Sequence, residues 1–282
     1  MPLLPGLLAA IFLSGLAAGA LAQPSPEPRR IASLNLCTDL LLLELVPRER
    51  IVSLSYWAAD TDLSYLAREV GDIPLNHSLA EEIVPLQPDL VLAGQFSDTK
   101  VINLLRRMGY RVEVLEVPLT LAGMREHILD FGRLVNAARE AELLAAELDR
   151  RLALVSTRAR AERGERPLAV VYGPQGVSPG RDTLMDDLLQ LAGFRNLAAE
   201  LDIVSYGTLS LEALVQAEPD LLILDDLSAN RDSVAHQALR HPALVGQFRP
   251  EQVISLPPSL TACVGPTSVG AAERLLRVRL GE

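Results

Sequence analysis

Residues 81–92 read EEIVPLQPDLVL, and residues 212–223 read EALVQAEPDLLI, an alignment that needs no gap. Each copy contains a short helical segment, a Pro-Asp pair and an apolar run typical of a buried strand. The proline ends the helix because it lacks an N–H and restricts the residue before it. A unit that occurs twice predicts two similar halves, each with a helix that leads into a strand.

Outside this repeat, short runs of Val, Ile and Leu alternate with segments of helical periodicity. Near-continuous apolar strands separated by helices indicate parallel sheets covered on both faces, and therefore an α/β fold. The predicted strands are residues 30–34, 50–54, 89–93, 111–115, 168–172, 220–224 and 252–256. The predicted helices include residues 38–46, 98–108 and 182–191.

A long segment between the two copies contains no Gly or Pro before Gly164 and alternates the sign of its charges. Its content of Ala, Leu, Glu and Arg predicts one helix over residues 137–164. We interpret it as the connector between an N-terminal lobe over residues 30–136 and a C-terminal lobe over residues 165–282. A surface helix of a single domain is the alternative. Open α/β sheets bind ligands at the carboxyl ends of their strands, so the expected site is a cleft between the lobes.

The N-terminal segment has the pattern of a secretory signal. Residues 3–19 are almost wholly apolar and precede Ala20-Leu21-Ala22, which places small residues at positions −3 and −1 before Gln23. No Lys or Arg precedes the apolar run, and a membrane anchor is the alternative. We predict a signal peptide over residues 1–22, a Pro-rich tether over residues 23–29 and an exported mature chain.

The net charge limits the classes of partner. The chain carries 36 acidic and 26 basic residues, for a formal net charge of −10. Binding to nucleic acid phosphates requires a basic stripe, so we expect no nucleic acid partner. A dinucleotide enzyme is also not expected, because no predicted strand is followed by G-x-G-x-x-G.

The segment at residues 30–35, the Glu-x6-Pro-Asp-Leu unit in both halves and the single long helix resemble the class III substrate-binding proteins of ABC importers. That family includes the periplasmic binding proteins for vitamin B12, ferric siderophores and haem. The resemblance implies two Rossmann-like lobes with parallel central sheets, joined by one rigid backbone helix, in a periplasmic protein that is expected to be a monomer without a cofactor. It also implies that Glu81 and Glu212 dock onto arginines of the permease in the inner membrane. The alternative for both glutamates is an ordinary first-turn position in a helix.

The ligand contacts are expected in the loops that follow the strands, because large planar ligands are held by aromatic faces and a few polar groups. Tyr56, His77 and Tyr206 are the leading candidates. For His77, a metal-coordinating imidazole and an exposed helix-opening residue both stay open, and Arg181 either meets an anionic ligand group or begins a helix. The full set of expected ligand-binding residues is Asn35, Cys37, Tyr56, Trp57, His77, Arg181, Tyr206 and Cys263.

The two cysteines leave three alternatives open. Cys37 follows the first predicted strand and Cys263 lies in the last loop, near the cleft but in different lobes. They either form a disulfide across the cleft, pack as buried thiols, or contact a ligand metal as thiolates.

The expected function is capture of a ferric siderophore or a corrinoid and its delivery to the permease, without catalysis, and haem stays open as a third ligand. The few basic residues in the cleft loops argue against strongly anionic catecholates. One alternative is a binding protein for free zinc or manganese, which needs about three converging His or carboxylate ligands; the histidines are His77, His127, His236 and His241. A remote alternative is a serine hydrolase, because residues 176–180 fit G-x-S-x-G around Ser178.

Overall fold

The N-terminal lobe is built on a five-stranded parallel sheet, in a computed structural model that describes residues 27–224 and 246–282. The sheet order is β3-β2-β1-β4-β5. Its strands are β1 Ile31–Ser33, β2 Ile51–Ser55, β3 Leu75–Asn76, β4 Leu90–Gly94 and β5 Val112–Leu115. The helices of this lobe are α1 Leu36–Leu45, α2 Ala80–Ile83, α3 Thr99–Arg107 and α4 Leu121–Leu134, with 3-10 turns at Arg48–Arg50, Tyr56–Ala59 and Val84–Leu86. The predicted signal peptide and residues 23–26 of the predicted tether lie outside the described residues.

The C-terminal lobe has a four-stranded parallel sheet in the order β11-β10-β6-β8, and β7 and β9 form a separate antiparallel pair. Its strands are β6 Leu168–Tyr172, β7 Val177–Pro179, β8 Arg195–Asn196, β9 Tyr206–Thr208, β10 Leu221–Leu224 and β11 Val253–Ser255. Its helices are α6 Leu184–Leu191, α7 Leu197–Glu200, α8 Leu211–Ala217, α9 Pro258–Thr261 and α10 Pro266–Leu280, with 3-10 turns at Pro174–Gly176 and Pro250–Gln252. The predicted α/β class with parallel central sheets is therefore confirmed, and the antiparallel pair is an addition to it.

One long helix, α5 Ala138–Ala161, lies between the two sheets in the chain. Its buried residues fall on one face at helical spacing, at positions 141, 145 and 148 and then 155 and 159. The first three belong to the apolar core of the N-terminal lobe and the last two to the core of the C-terminal lobe. A single apolar face therefore enters both cores, and the helix holds each lobe by packing.

The two copies of the repeat have the same backbone conformation at their Pro-Asp pairs. Gln87 and Glu218 precede the prolines, and both have a left-handed φ of 46°. The following aspartates each bind the start of a neighbouring strand. Asp89 accepts hydrogen bonds from the N–H groups of Arg29 and Arg30 with its two carboxylate oxygens, at 2.8 and 3.0 Å.

Asp220 repeats this role in the C-terminal lobe with one oxygen. Its Oδ2 accepts a hydrogen bond from the N–H of Leu168 at 2.8 Å, at the first residue of β6. In both lobes the aspartate therefore connects the start of the strand that follows the repeat to the start of the neighbouring strand in the sheet.

We expect Asp89→Ala and Asp220→Ala each to lower the free energy of unfolding by about 1 kcal/mol, because each removes charge-assisted bonds to backbone N–H groups. Asparagine keeps one acceptor oxygen. Asp220→Asn should therefore retain most of the stability, whereas Asp89→Asn should lose part of it, since Asp89 uses both oxygens. Urea unfolding of the four variants measures the difference. Alanine variants as stable as the unaltered chain would show that these bonds contribute nothing.

Candidate functional site

A cavity of about 650 Å³ lies between the lobes, beside the loops that follow the parallel strands. The N-terminal lobe contributes the segments after β1, β2, β4 and β5, and the C-terminal lobe contributes the segments before α6, at the start of β9 and between α9 and α10. Its apolar and aromatic lining consists mainly of Leu34, Leu36, Trp57, Leu63, Phe96, Val117, Leu119, Leu184, Tyr206 and Val264. The position follows from topology, because the carboxyl ends of parallel strands meet at one edge of each sheet.

Five of the eight expected ligand-binding residues line this cavity, namely Asn35, Cys37, Trp57, Tyr206 and Cys263. Tyr206 is 64% exposed and Trp57 is 37% exposed, so both present ring surface to the open space. Asn35 is fixed as the N-cap of α1, where its Oδ1 accepts from the N–H of Cys37 at 3.0 Å.

Gly94 at the end of β4 allows this placement of Asn35. A Cβ at Gly94 would lie 2.8 Å from Cγ of Asn35, closer than two carbon atoms approach. The cap of α1 and the end of β4 therefore pack directly on each other beside the cavity.

Tyr56 and His77 do not line the cavity, and both are exposed. The rings of Tyr56 and Trp57 pack with their centroids 4.1 Å apart. The imidazole of His77 stacks on the ring of Tyr56 with a centroid distance of 5.0 Å. The imidazole Nδ1 of His77 lies 3.0 Å from Oε1 of Glu82, and the backbone N–H of His77 donates to Oε2 of the same carboxylate at 2.6 Å. Tyr56 therefore packs against Trp57, and His77 packs against Tyr56. The hydrogen bond from the His77 side chain lowers the pKa of the Glu82 carboxyl.

Arg181 also does not line the cavity. Its guanidinium donates to Oδ1 of Asp202 at 3.0 Å and to the carbonyl of Ala199 at 2.8 Å. The cavity lining instead includes the next two residues, Asp182 and Thr183. The arginine thus holds the loop after α7 to the segment before α6.

The sequence-based selection missed Phe96, which is 86% exposed and lines the cavity from the loop after β4. Leu119, in the segment after β5, is a second missed residue and is 64% exposed. Both follow predicted strands, so the rule that selected Trp57 also selects these loops. The position of both residues after a predicted strand was visible in the sequence, but the strand-end rule was not extended to these two loops.

The cysteines form a disulfide, which decides among the three alternatives. Cys37 and Cys263 are bonded at an S–S distance of 2.08 Å, with their Cα atoms 5.4 Å apart. Free thiols and metal-bound thiolates are therefore excluded for this pair. The disulfide is part of the cavity wall and joins the start of α1 in one lobe to the loop before α10 in the other.

No Lys, Arg or His occurs among the described residues that line the cavity. The charged groups there are the carboxylates of Asp98 and Asp182. Asp98 is engaged as the N-cap of α3, where it accepts from the N–H of Lys100 at 2.7 Å. The cavity therefore offers apolar surface and neutral polar groups, and its few charges are negative.

Glu81 and Glu212 both lie on the protein surface in the first turn of a short helix, α2 and α8 respectively. Each helix leads through the Pro-Asp pair into a central strand of its own lobe. The two carboxylates thus occupy matching positions in the two lobes.

The hydrolase geometry is contradicted by the position of Ser178. This residue lies in the middle of β7 and is fully buried, and its Oγ donates to the carbonyl of Val171 at 2.6 Å. A nucleophile requires an exposed Oγ at a strand-to-helix turn. The G-x-S-x-G match is therefore part of an antiparallel strand pair with no accessible hydroxyl.

The described part of the chain contains no cluster of side chains that could hold a metal ion by itself. There, no group of three or more His, Cys, Asp and Glu side chains converges. His127 lies in α4, where burial lowers the pKa of its imidazole. His236 and His241 lie outside the described residues. Within the same ranges, no helix combines the length and apolarity needed to cross a membrane.

A buried polar cluster lies next to the N-cap of α1. The carboxylate of Asp39 is fully buried and accepts from the N–H of Ser55 at 3.1 Å and forms a short hydrogen bond with the Ser55 hydroxyl. Asn76 on β3 donates to the carbonyls of Ser33 and Leu54 at 2.9 Å. Burial raises the pKa of the Asp39 carboxyl to about 7, against hydrogen bonds from Ser33 and Ser55 that lower it.

Comparison with known proteins gives a consistent result. A family model described as periplasmic binding protein matches residues 31–260. A cobalamin-binding protein of Halobacterium salinarum is 27% identical over 220 residues, which is 78% of this chain and 59% of that protein. The ferric-anguibactin-binding protein FatB of Vibrio anguillarum is 26% identical over 164 residues, 53% of this chain and 48% of that protein. The chain thus spans about three fifths of the cobalamin-binding relative.

Among solved structures, the periplasmic heme-binding protein RhuT from Roseiflexus sp. RS-1 is similar in fold. Its TM-score is 0.73 at 24% identity, and the match covers 89% of this chain and 97% of that one. At this identity the likeness concerns the fold alone.

We expect Asp39→Asn to change how stability depends on pH. In the unaltered chain, the pKa of the Asp39 carboxyl is about 7 in the folded state and 3.8 in the unfolded state. Between these two pH values, the folded state therefore binds one more proton than the unfolded state. The contribution of this raised pKa to the free energy of unfolding is fully present below pH 3.8 and is lost as pH rises through about 7. Asparagine keeps the acceptor for Ser55 and does not titrate.

Denaturant unfolding at several pH values measures this. The unaltered chain should lose stability between pH 4 and 7 relative to Asp39→Asn, by up to about 1.4 kcal/mol per pH unit. Parallel curves for the two proteins would mean that Asp39 is ionised in the folded state throughout.

Proposed function

The chain belongs to the periplasmic binding protein family, whose model its residues 31–260 match, and we propose that it captures a metal-containing small molecule, a corrinoid or a ferric siderophore, in the interlobe cavity. It delivers this ligand to the permease of an ABC importer. Members of the family are binding proteins and not enzymes. Removal of residues 1–22 would release the mature chain into the periplasm as a monomer.

The observation that carries the choice of ligand is the charge of the cavity lining. With no cationic side chain among the described lining residues, an anionic ligand group would be desolvated without a partner. Haem carries two carboxylates, and ferric catecholates carry several negative charges. Corrinoids present neutral amides around their ring, and ferric hydroxamates are close to neutral. These two classes therefore fit the cavity better.

The shape and polarity of the lining favour a corrinoid within this pair. Trp57, Phe96 and Tyr206 supply three aromatic rings from both lobes, and such faces suit a broad macrocycle. Asn35 and Gln95 offer amides that match the amide side chains of a corrinoid. A volume of about 650 Å³ lies in the range of small-molecule pockets. The similarity to a cobalamin-binding protein supports the same class.

The competing metal-ion function lacks support, because the described residues hold no cluster of three metal-ligating side chains. A free zinc or manganese ion would require such a cluster. The Nδ1 of His77 is also engaged by Glu82, and its ring stacks on Tyr56 outside the cavity lining.

A binding panel tests the proposed ligand. We expect quenching of tryptophan fluorescence by cyanocobalamin and dicyanocobinamide, weaker quenching by a ferric hydroxamate, and the weakest by haemin and a ferric catecholate, because only the last two bring uncompensated negative charge. Trp57 is the single tryptophan and lines the cavity, so it reports on this site. Phe96→Ala and Tyr206→Ala should each weaken corrinoid binding about tenfold, the loss of one aromatic contact.

The matched control is Leu143→Ala, which removes an exposed apolar side chain from α5 away from the cavity and should leave the affinity unchanged. Tighter binding of haemin than of any corrinoid, or equal effects of all three substitutions, would contradict the proposed ligand class.

The proposed docking role rests on the matched and exposed positions of Glu81 and Glu212. Neither residue lines the cavity, so a change there leaves the ligand site intact. A carboxylate on the tip of each lobe can form a bidentate contact with a guanidinium of the permease, which fixes the orientation of the binding protein.

We expect Glu81→Arg combined with Glu212→Arg to abolish ligand uptake, because both contacts become repulsive, while ligand affinity stays within twofold. Uptake of labelled ligand by cells that carry the cognate permease measures the first, and fluorescence titration measures the second. Glu142→Arg, an exposed reversal of the same charge on α5, is the control and should permit uptake. Normal uptake by the double variant would remove the docking assignment.

A further inference from the structure

The Cys37–Cys263 disulfide joins two rigid supports, one in each lobe. Cys37 lies in the first turn of α1, whose residues Leu41, Leu42 and Leu45 belong to the core of the N-terminal lobe. Cys263 precedes α10, and its carbonyl accepts hydrogen bonds from the hydroxyls of Thr267 at 3.0 Å and Ser268 at 3.4 Å. The bond therefore links the first turn of α1 to the short loop before α10, which hydrogen bonds hold to the first turn of α10.

Residues close to the half-cystines in the chain line the cavity from both lobes. Asn35 and Leu36 line it from the N-terminal lobe, and Ala262 and Val264 line it from the C-terminal lobe. The disulfide holds these walls with the two Cα atoms 5.4 Å apart. The cavity cannot widen at this point unless the S–S bond breaks or one of the helix ends unfolds.

Two polar ties between the lobes lie away from the cavity. Arg151 on α5 forms a bidentate ion pair with Glu273 on α10 at 2.9 and 2.8 Å, and the N–H of Leu121 donates to Asp187 at 2.8 Å. None of these four residues lines the cavity. At the cavity itself, Val264 packs against the N-terminal core, and the disulfide is the covalent tie between the walls that would hold the ligand.

We propose that this disulfide is the positioning element of the ligand site: it fixes the distance between the two walls, so that ligand enters and leaves past rim side chains and without separation of the lobes. The rim side chains are the exposed Phe96, Leu119 and Tyr206. The ligand part of this proposal rests on the proposed function, whereas the fixed wall spacing does not. A site held in its binding geometry loses no affinity to an open population, because the competent fraction is close to one.

The wall spacing is tested in the ligand-free chain. Spin labels on noncanonical residues at the exposed positions Lys100 and Glu251, one in each lobe, report the interlobe distance by pulsed electron resonance. The unaltered chain should give one narrow distance distribution. Cys37→Ser with Cys263→Ser should broaden it or add a longer distance, and a dithiol-reduced unaltered chain should do the same, which covers the case of a variant that folds poorly.

The control for general destabilisation is Leu188→Ala, which removes side-chain volume from the fully buried core of the C-terminal lobe and keeps the disulfide. Its distribution should stay narrow. An equally narrow distribution in the serine variant and in the reduced chain would overturn the proposal, as would broadening by Leu188→Ala alone.

The ligand part is tested by cyanocobalamin dissociation. The serine variant should release it about tenfold faster, because separation of the lobes then gives the bound ligand a second exit route. An unchanged dissociation rate would overturn the positioning role. If the unaltered chain binds no corrinoid, the proposed function fails, and the distance measurements still decide whether the disulfide sets the spacing.

Discussion

The packing of one helical face into two separate cores is the interaction on which the rest of this structure depends. Residues 141, 145 and 148 of α5 bury their side chains in the N-terminal core, and Val155 and Ala159 bury theirs in the C-terminal core. Helix α10 also contributes to both cores, with Val269 in the first and residues 271, 272, 275 and 276 in the second, whereas α5 is the longer helix and is the one that connects the two lobes along the chain. Because core packing is dense and resists deformation, this helix fixes where the two sheets stand relative to each other. The cavity is the space that remains between their carboxyl edges.

The chemical character of that space follows from which loops reach it. Strand ends in both lobes present Leu, Trp, Phe, Tyr and small polar residues, and the arginines nearby are engaged elsewhere. Arg181, for example, binds Asp202 and a backbone carbonyl at the edge of the lobe. Under the proposed function, a ligand in this cavity gains affinity from apolar and aromatic contact, and low or positive charge suits it because the described lining residues include no cation. Within a family whose members carry metal chelates, this feature separates ligand classes better than the fold does.

Much of the fold could be predicted from the sequence, because its signals are local. The gap-free repeat at residues 81–92 and 212–223 predicted the two halves, and the absence of Gly and Pro before Gly164 predicted α5 to within three residues at each end. Strands β3 and β8 have two residues each and are too short to show a period. The pair β7 and β9 was missed because its residues, among them Pro179 and Gly207, do not resemble a strand.

The site was harder to predict, because side-chain direction is set by distant contacts. Trp57 and Tyr206 line the cavity, whereas Tyr56 and His77 stack on each other and do not line it. The disulfide could not be chosen from sequence, since the separation of 226 residues gives no information about the distance between Cys37 and Cys263. Only the packing of α1 and α10 brings these residues together.

A crystal structure of the chain grown with cyanocobalamin tests the central claim most directly. The account predicts a corrin ring between Trp57, Phe96 and Tyr206, with both lobes in the same relative position as in the ligand-free chain. A corrinoid bound away from these rings, or a cavity closed by movement of one lobe onto the other, would contradict it.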